Sequence, residues 1–223
     1  MTKPLLVLSK PHLNGGGSIL AKMLLDYFED DYTVKDAFEW CSGPGWIGFG
    51  LLDREIAEHV TFGDINPEAI ECVGESIDLN GVENMCEAYV SPNFDNIPEY
   101  ETFDLVVGNP PSYCNLNPEH PAYHLNSGDL RPNDPGWVAH IDFYHHLPDY
   151  LEDGGRCVIL EAEPHKKEVV IPPFDIPYDQ RPEKPIDIFR QLIKDAGLKY
   201  EGCSRVGSLL GVLDIYAIEC RKD

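Results

Sequence analysis

Short apolar runs alternate with stretches of helical periodicity along most of this chain, and this alternation constrains the fold more than any other feature. Small or polar residues directly follow each of the runs Val34–Trp40, Val60–Phe62 and Phe103–Gly108, a pattern typical of buried strands that turn into helices. Strands separated by helices pair in parallel rather than as hairpins. The sequence therefore predicts an α/β fold with helices on both faces of a mostly parallel sheet.

The remaining elements follow from local start and stop signals. Ser18 is expected to cap the first helix, and Pro67 and Gly81 are expected to begin and end the third. Helices are predicted at 19–28, 46–56, 67–80, 137–151 (interrupted at Pro148) and 186–196, and further strands at 86–90, 156–161, 198–205 and 212–220. Since the last two strands are expected to form an antiparallel hairpin, the fold is a Rossmann-like doubly wound sheet of about seven strands.

We predict a single domain over residues 1–223, a length that allows a substantial buried core. Residues 1–33 would form an N-terminal loop and helix, and the stretches 112–136 and 164–185 would form long loops near the site. No apolar run approaches the ~18–20 residues of a membrane-spanning helix, so no membrane partner is expected. The first residues are too weakly apolar for a signal peptide, and we expect a cytoplasmic protein.

The charge of the chain bears on its partners. The formal net charge is −22, from 17 basic and 39 acidic side chains, and such a surface repels nucleic acid unless its basic residues gather on one face. Arg54 is the only Lys or Arg between Asp36 and Leu130. The charge therefore disfavours a nucleic acid partner, although one stays open.

Neither the cysteines nor the histidines show the spacing of a metal site. The seven cysteines include no C-x-x-C pair, which favours reduced, buried thiols over disulfides or zinc ligands. His120 and His124, and the group His140, His145 and His146, are interpreted as surface or lid residues that contact substrate. No metal site is predicted.

A turn with two glycines follows the first strand, and an acid ends the second. Gly43 and Gly45 let the backbone approach a ligand closely, and Asp64 has the spacing of the acid that binds ribose hydroxyls in dinucleotide sites. The complete G-x-G-x-x-G is absent because Cys41 interrupts it. Glu39 would repel a pyrophosphate and suit a cationic amino-acid group. The turn therefore favours an adenosine cofactor other than a nicotinamide dinucleotide.

The fourth strand ends in Asn109-Pro110-Pro111. Two consecutive prolines fix the backbone φ and remove two hydrogen-bond donors, so Asn109 and the neighbouring carbonyl are presented rigidly. An amide side chain and a carbonyl can together accept hydrogen bonds from an –NH₂ group and aim its lone pair at an electrophilic methyl. This turn indicates methyl transfer to a planar nitrogen.

Three runs together, EWCSGPG (39–45), GDIN (63–66) and FDLVVGNPPS (103–112), resemble the class I S-adenosylmethionine-dependent methyltransferases. Within that class they are most similar to the HemK/PrmC-like N-methyltransferases, which carry an N-P-P-Y turn. The resemblance covers roughly 17–161. It implies S-adenosyl-L-methionine as the cofactor and a protein or small molecule as the methyl acceptor.

The resemblance also implies roles for individual residues. Asp64 would bind the ribose, and Asn109 and the Pro110 carbonyl would hold the acceptor nitrogen. The acid that the family places after the third strand falls at Pro92, so Asn93 or a backbone group would serve near the adenine. The aromatic residue of the family's turn is Ser112 here, so Tyr113 would substitute. The implied cofactor contacts are Glu39, Cys41, Ser42, Gly43, Gly45, Asp64, Ile65, Asn66, Asn93 and Asn109, and the implied catalytic set is Asn109, Pro110, Pro111 and Tyr113.

Several readings of the function stay open. Among acceptors, a protein glutamine or other peptide amide ranks slightly ahead of adenine in RNA or DNA, and a small amine is a further candidate. Ser112 and Pro92 depart from the family and favour a non-catalytic cofactor-binding subunit. Glu39 opposes a third reading, a dinucleotide oxidoreductase.

Overall fold

A computed structural model describes residues 4–13, 17–111, 134–164, 185–209 and 213–223. Its centre is a seven-stranded sheet of order β3-β2-β1-β4-β5-β7-β6. The strands are β1 Val34–Trp40, β2 Ala57–Asp64, β3 Cys86–Val90, β4 Phe103–Gly108, β5 Leu151–Pro164, β6 Lys199–Leu209 and β7 Leu213–Arg221. All neighbouring strands from β3 to β5 pair in parallel, and β7 runs antiparallel to both β5 and β6. The prediction of a mixed, mostly parallel sheet with a closing antiparallel pair is confirmed.

Helices cover both faces of the sheet. The α-helices are α1 Gly17–Leu25, α2 Trp46–Asp53, α3 Pro67–Asn80, α4 Val138–Tyr150 and α5 Pro185–Asp195. One apolar core lies between α1–α3 and the sheet, and it includes Leu24, Phe49 and Val107. A second core lies between α4, α5 and the opposite face, where Phe143 and Phe189 pack on the strands. This two-sided covering is the doubly wound arrangement.

Local signals place α3 as predicted. The side chain of Asn66 accepts a hydrogen bond from the Glu68 amide and so caps the helix, whose first residue is Pro67. At the other end, Gly81 adopts a left-handed conformation (φ 66°) and donates its amide to the last turn. Both ends are determined by residues within the helix or next to it.

Several predicted boundaries are wrong. The first helix begins at Gly17, so Ser18 lies within its first turn instead of capping it, and the helix ends at Leu25. The second helix stops at Asp53, and β2 extends well beyond the three residues predicted for it. These short elements lack strong capping residues, and their ends depend on packing.

The predicted interruption at Pro148 is also wrong, because α4 continues through this residue to Tyr150. The Lys222 ammonium donates to the carbonyls of Pro148 and Leu151, at 2.8 Å each. Carbonyls at a helix end need partners from outside the helix, and a lysine remote in sequence supplies them. Strand β5 then begins directly at Leu151, with Gly154 (φ 79°) inside it rather than in a turn before it.

The part of the chain that the structure describes contains no helix long and apolar enough to cross a membrane. The two predicted long loops, 112–136 and 164–185, lie largely outside the described residues, so their predicted role near the site stays a prediction.

Candidate active site

The strand order reverses at the centre of the sheet. After β3, at one edge, the chain returns to form β4 on the other side of β1. Trp40, the last residue of β1, pairs with Gly63 on one side and with Gly108 on the other. Ligands of open α/β sheets bind at the carboxyl ends of the strands beside such a reversal. The segments that follow β1, β2 and β4 are therefore brought together here, as the sequence predicts.

The glycine turn after β1 joins the end of β2 through backbone groups. The Gly43 amide donates to Asp64 Oδ2 at 2.7 Å, and the Ser42 amide donates to the Gly63 carbonyl at 3.0 Å. The Gly45 amide closes the turn on the Ser42 carbonyl at 2.9 Å. Asp64 thus orders the turn in addition to its predicted ribose contact.

The two glycines of this turn have different reasons to be glycine. A Cβ at Gly45 (φ 88°) would lie 2.9 Å from ring atoms of Phe49 and Phe62, so the packing of α2 on β2 fills that space. A Cβ at Gly43 (φ 52°) would approach only the Leu13 carbonyl, at 3.6 Å. Gly43 is therefore the position where the backbone is open toward a ligand.

Glu39 is buried beneath the turn with both carboxylate oxygens engaged. Oε1 accepts from the Ile47 amide at 3.2 Å and Oε2 from the Gly48 amide at 2.7 Å, at the start of α2. Burial raises the pKa of Glu39 to about 8, although these two amides act to lower it. The structure therefore gives Glu39 a positioning role that the sequence did not reveal. Its direct contact with the cofactor stays a prediction.

Cys41 and Ser42 form the start of the turn. Cys41 adopts a left-handed conformation (φ 53°) and packs against the second core. Burial raises the pKa of its thiol well above the usual value, and the nearby carboxylates of Asp64, Asp134 and Glu161 raise it further. The environment of the turn is thus acidic, which suits a cationic ligand. Ser42 is buried, with its hydroxyl directed to the Gly43 carbonyl at 3.3 Å.

The residues after β2 lie where an adenosine would be expected. Asp64 Oδ1 accepts from the Asn66 amide at 2.8 Å, which shapes the bend into α3. Ile65 is 48% exposed at this bend, and an exposed apolar side chain beside the acid predicted to bind the ribose fits a planar base. The side-chain oxygen of Asn66, Oδ1, caps α3. We therefore expect the contact of Asn66 with the adenine to come from its backbone.

The side chain of Asn93 is engaged within the protein. Its Oδ1 accepts from the Trp40 indole at 2.8 Å, and its Nδ2 donates to the Ala139 carbonyl at 3.0 Å and to Asp142 at 2.6 Å. This buried amide (φ 47° at Asn93) joins the end of β1 to α4. Its groups are committed within the protein, so an adenine contact from this turn would come from the backbone.

Asn109-Pro110-Pro111 follows β4 directly, at the edge to which the glycine turn also belongs. Asn109 and Pro111 are half-buried and Pro110 is buried. Gly108 lets the end of β4 approach the end of β1 closely, because a Cβ at this position would lie 2.8 Å from the Trp40 carbonyl. Tyr113, the remaining predicted catalytic residue, and Ser112 lie outside the described residues.

One group of side chains near this edge escaped the sequence analysis. His140, on α4, is fully buried and lies between two carboxylates, with Nδ1 2.6 Å from Asp134 Oδ2 and Nε2 2.9 Å from Glu161 Oε1. Burial acts to lower the pKa of His140, but hydrogen bonds to Asp134 and Glu161 outweigh it and raise the pKa above its usual value. The prediction that His140 is a surface or lid residue is wrong.

Among the described residues, no three His, Cys, Asp or Glu side chains are arranged to hold a metal ion. His120 and His124 are not part of that described set.

Residues 6–120 match the sequence model of the methyltransferase small domain family, more than half of the 223-residue chain. A release factor glutamine methyltransferase of Leptospira interrogans is 30% identical over 93 residues, which cover 41% of this chain and 32% of that protein. The chain thus matches about a third of the length of this relative.

Solved structures share the fold at low identity. The mitomycin 7-O-methyltransferase MmcR is 13% identical with a TM-score of 0.61, over 92% of this chain and 54% of its own. The T. thermophilus 16S rRNA N2 G1207 methyltransferase RsmC, in complex with AdoMet and guanosine, is 13% identical with a TM-score of 0.55, over 97% and 44%. These two relatives are named for different acceptors, so the fold by itself does not identify the acceptor.

Proposed function

The chain belongs to the methyltransferase small domain family, and on that premise we propose that it transfers a methyl group from S-adenosyl-L-methionine to an amide or amino nitrogen. The observation that carries the proposal is the position of Asn109-Pro110, directly after β4 and across the strand reversal from the glycine turn. A donor bound at the turn and an acceptor bound at Asn109 would meet over the ends of β1 and β4.

The residues after β1 and β2 would hold the cofactor. The open backbone at Gly43 and the acidic surroundings of Cys41 suit its cationic methionine part. Asp64 would accept hydrogen bonds from the ribose, with Ile65 beside the adenine. Glu39 would act indirectly, because its carboxylate holds the start of α2 against the turn.

Asn109 and the Pro110 carbonyl would orient the acceptor. When bound, the cofactor supplies a methyl group that is already electrophilic, so the protein contributes mainly position. An amide oxygen and a backbone carbonyl that accept both N–H groups of an –NH₂ direct its lone pair at the methyl. The acceptor nitrogen would gain the methyl group and release one proton to solvent, and S-adenosylhomocysteine would leave.

A peptide amide, such as a protein glutamine, is the acceptor that we favour. The Leptospira relative is named as a glutamine methyltransferase, and the net charge of −22 disfavours a nucleic acid surface. A nitrogen of RNA is the second candidate, because RsmC is named as an rRNA N2 methyltransferase. The two candidates share the –NH₂ group that Asn109 would bind.

The test is transfer of an isotopically labelled methyl group from S-adenosyl-L-methionine. Glutamine-containing peptides and adenosine- or guanosine-containing RNA would be offered in parallel, and the products located by mass spectrometry. We expect label on a nitrogen of the peptide, loss of turnover in Asn109→Ala, and cofactor affinity within about threefold of the original protein.

Asn84→Ala, an exposed substitution after α3, is the matched control and should retain full activity. Label on oxygen or carbon, or full turnover in Asn109→Ala, would contradict the proposal. Label on the RNA alone would select the second candidate.

A further inference from the structure

The side chain of His140 contacts residues on the two strands that flank β4, near the point where β4 ends. Its ring contacts Trp40, at the end of β1, with 5.1 Å between centroids, and its Nε2 reaches Glu161 on β5. Because β4 is hydrogen-bonded between β1 and β5, a ring that touches both neighbours has to cross β4. It does so where the last paired residue is Gly108, beside Ile159.

Glu161 therefore stands at the edge of the acceptor part of the site. Gly108 on β4 pairs with Ile159 on the parallel strand β5. Pro110 lies two residues beyond Gly108, and Glu161 lies two residues beyond Ile159. Both Ile159 and the carboxylate of Glu161 lie on the face of the sheet covered by α4.

The Glu161 carboxylate is held by one of its two oxygens. Oε1 lies 2.9 Å from His140 Nε2, whereas Oε2 is buried and has no hydrogen-bond partner among the residues that the structure describes. The residue as a whole is 2% exposed. A buried polar atom without a partner costs roughly 1–3 kcal/mol, and more when it belongs to a charged group. In a native protein such an atom calls for a functional or solvent explanation.

The orientation of this carboxylate is determined by a chain of contacts. Asp134 Oδ1 accepts from the Ala139 amide at 2.9 Å, and Oδ2 accepts from the His140 amide at 3.1 Å while also facing the imidazole. Phe189 stacks on the imidazole at 4.5 Å between centroids, and Trp137 meets its edge. A side chain locked in this way can hold Oε2 at one position without further loss of entropy on binding.

We propose that Glu161 is a specificity-determining residue for the methyl acceptor, and that its Oε2 accepts a hydrogen bond from an N–H of the acceptor's amide or amino group. The inference rests on the proposed function and sharpens it, since it requires an acceptor that carries N–H donors beside the reacting methyl. Acceptors of the same shape without such donors would leave Oε2 unpaired and bind worse.

A primary amide and a tertiary amide, which differ in their N–H donors, test this directly in the 223-residue protein. Acetamide carries two N–H donors, and N,N-dimethylacetamide carries none. Each is titrated into the protein saturated with S-adenosylhomocysteine, and the ¹⁵N–¹H signal of the His140 side chain, assigned by its loss in His140→Gln, is followed by NMR. We expect a saturable shift with acetamide and none with dimethylacetamide.

Two variants complete the test. Glu161→Met keeps the length of the side chain and removes both oxygens. It should weaken the binding of acetamide at least about tenfold, while the affinity for S-adenosylhomocysteine stays within about twofold. Tyr144→Phe is the matched control. The Tyr144 hydroxyl on α4 is also buried with no hydrogen-bond partner in the described part of the chain, but it lies on the helix rather than at the strand ends. Its acetamide response should be unchanged.

The outcomes are distinguishable. Equal responses to the two amides, no response to either, or an unchanged response in Glu161→Met would overturn the inference and leave only a resident water at Oε2. If S-adenosylhomocysteine itself does not bind, the proposed function fails and this inference fails with it.

Discussion

The loops after β1 and β2, where the cofactor is proposed to bind, and the ends of β4 and β5, where the acceptor is proposed to bind, are held together by different kinds of contact. In the cofactor part, the contacts join neighbours in the sheet through backbone amides, such as the Gly43 amide on Asp64. In the acceptor part, side chains from distant elements meet in the interior, with His140 between Asp134 and Glu161.

The cofactor part and the acceptor part are therefore subject to different physical constraints. A cofactor of constant shape can be bound by backbone groups and a few glycines, and these leave a pattern in the sequence. The acceptor part depends on a buried group of two carboxylates and one imidazole, whose charges have to be balanced in the interior. Loss of Asp64 in the first part should therefore act mainly on ligand binding, whereas loss of the His140 imidazole in the second should act mainly on the stability of the fold.

The largest effect is expected from His140→Ala. It removes the imidazole from between two buried carboxylates, and breaking a buried ion pair typically costs about 3–5 kcal/mol of unfolding free energy. Urea unfolding would measure the loss, and His145→Ala, an exposed position on the same helix, should change stability by less than about 0.5 kcal/mol. A loss below about 1 kcal/mol for His140→Ala would mean that the group is not a stabilising ion cluster.

A second substitution probes the cofactor part. Asp64→Ala removes the acceptor of the Gly43 and Asn66 amides and the proposed ribose contact. Two hydrogen bonds from the ribose hydroxyls to a carboxylate are together worth about 3 kcal/mol. Without them, S-adenosylmethionine should bind roughly 100-fold more weakly.

Calorimetry would check this, with Glu75→Ala on the exposed side of α3 as the control that removes a carboxylate elsewhere. Affinity that stays within about threefold in Asp64→Ala would remove Asp64 from the site.

A third prediction concerns the pH dependence of stability. The pKa of Glu39 is raised to about 8, above its ordinary value of 4.5, so the folded state retains a proton that the unfolded state loses. The stability linked to Glu39 is therefore fully present below its ordinary pKa and is lost as the pH rises through about 8.

Glu39→Gln removes this titration. The free energy of unfolding of the original protein should therefore fall relative to that of the variant between about pH 5 and about pH 9. Glu58→Gln, exposed on β2, is the control. A constant difference for Glu39→Gln across that range would show that the Glu39 carboxyl does not titrate as described.

The strands and helices that could be predicted from the sequence are those whose signals are local. Strands β1, β3 and β4 lie where their apolar runs predict them, and α3 is bounded by Asn66, Pro67 and Gly81, each acting within a few residues. The beginning of β5 and the continuity of α4 could not be predicted. They depend on pairing with β4 and on Lys222, which is remote in sequence.

The same distinction applies to the site. Asp64 and the glycine turn have fixed spacing, so their juxtaposition is confirmed by the contact of Gly43 with Asp64. Asn93 shows the limit, because its amide is used to join Trp40 to α4 rather than being left for a ligand. Glu161 and His140 carry no motif, and only the adjacency of β4 and β5 brings them to the edge where Asn109 stands.

Binding of the methyl donor by the loops after β1 and β2 can be measured by calorimetric titration. The 223-residue protein would be titrated with S-adenosylmethionine, S-adenosylhomocysteine and NAD. We predict saturable binding of the first two and none of NAD, because the Asp64 carboxylate makes the turn acidic and unsuited to a pyrophosphate. Binding of NAD alone, or of none of the three, would contradict the account.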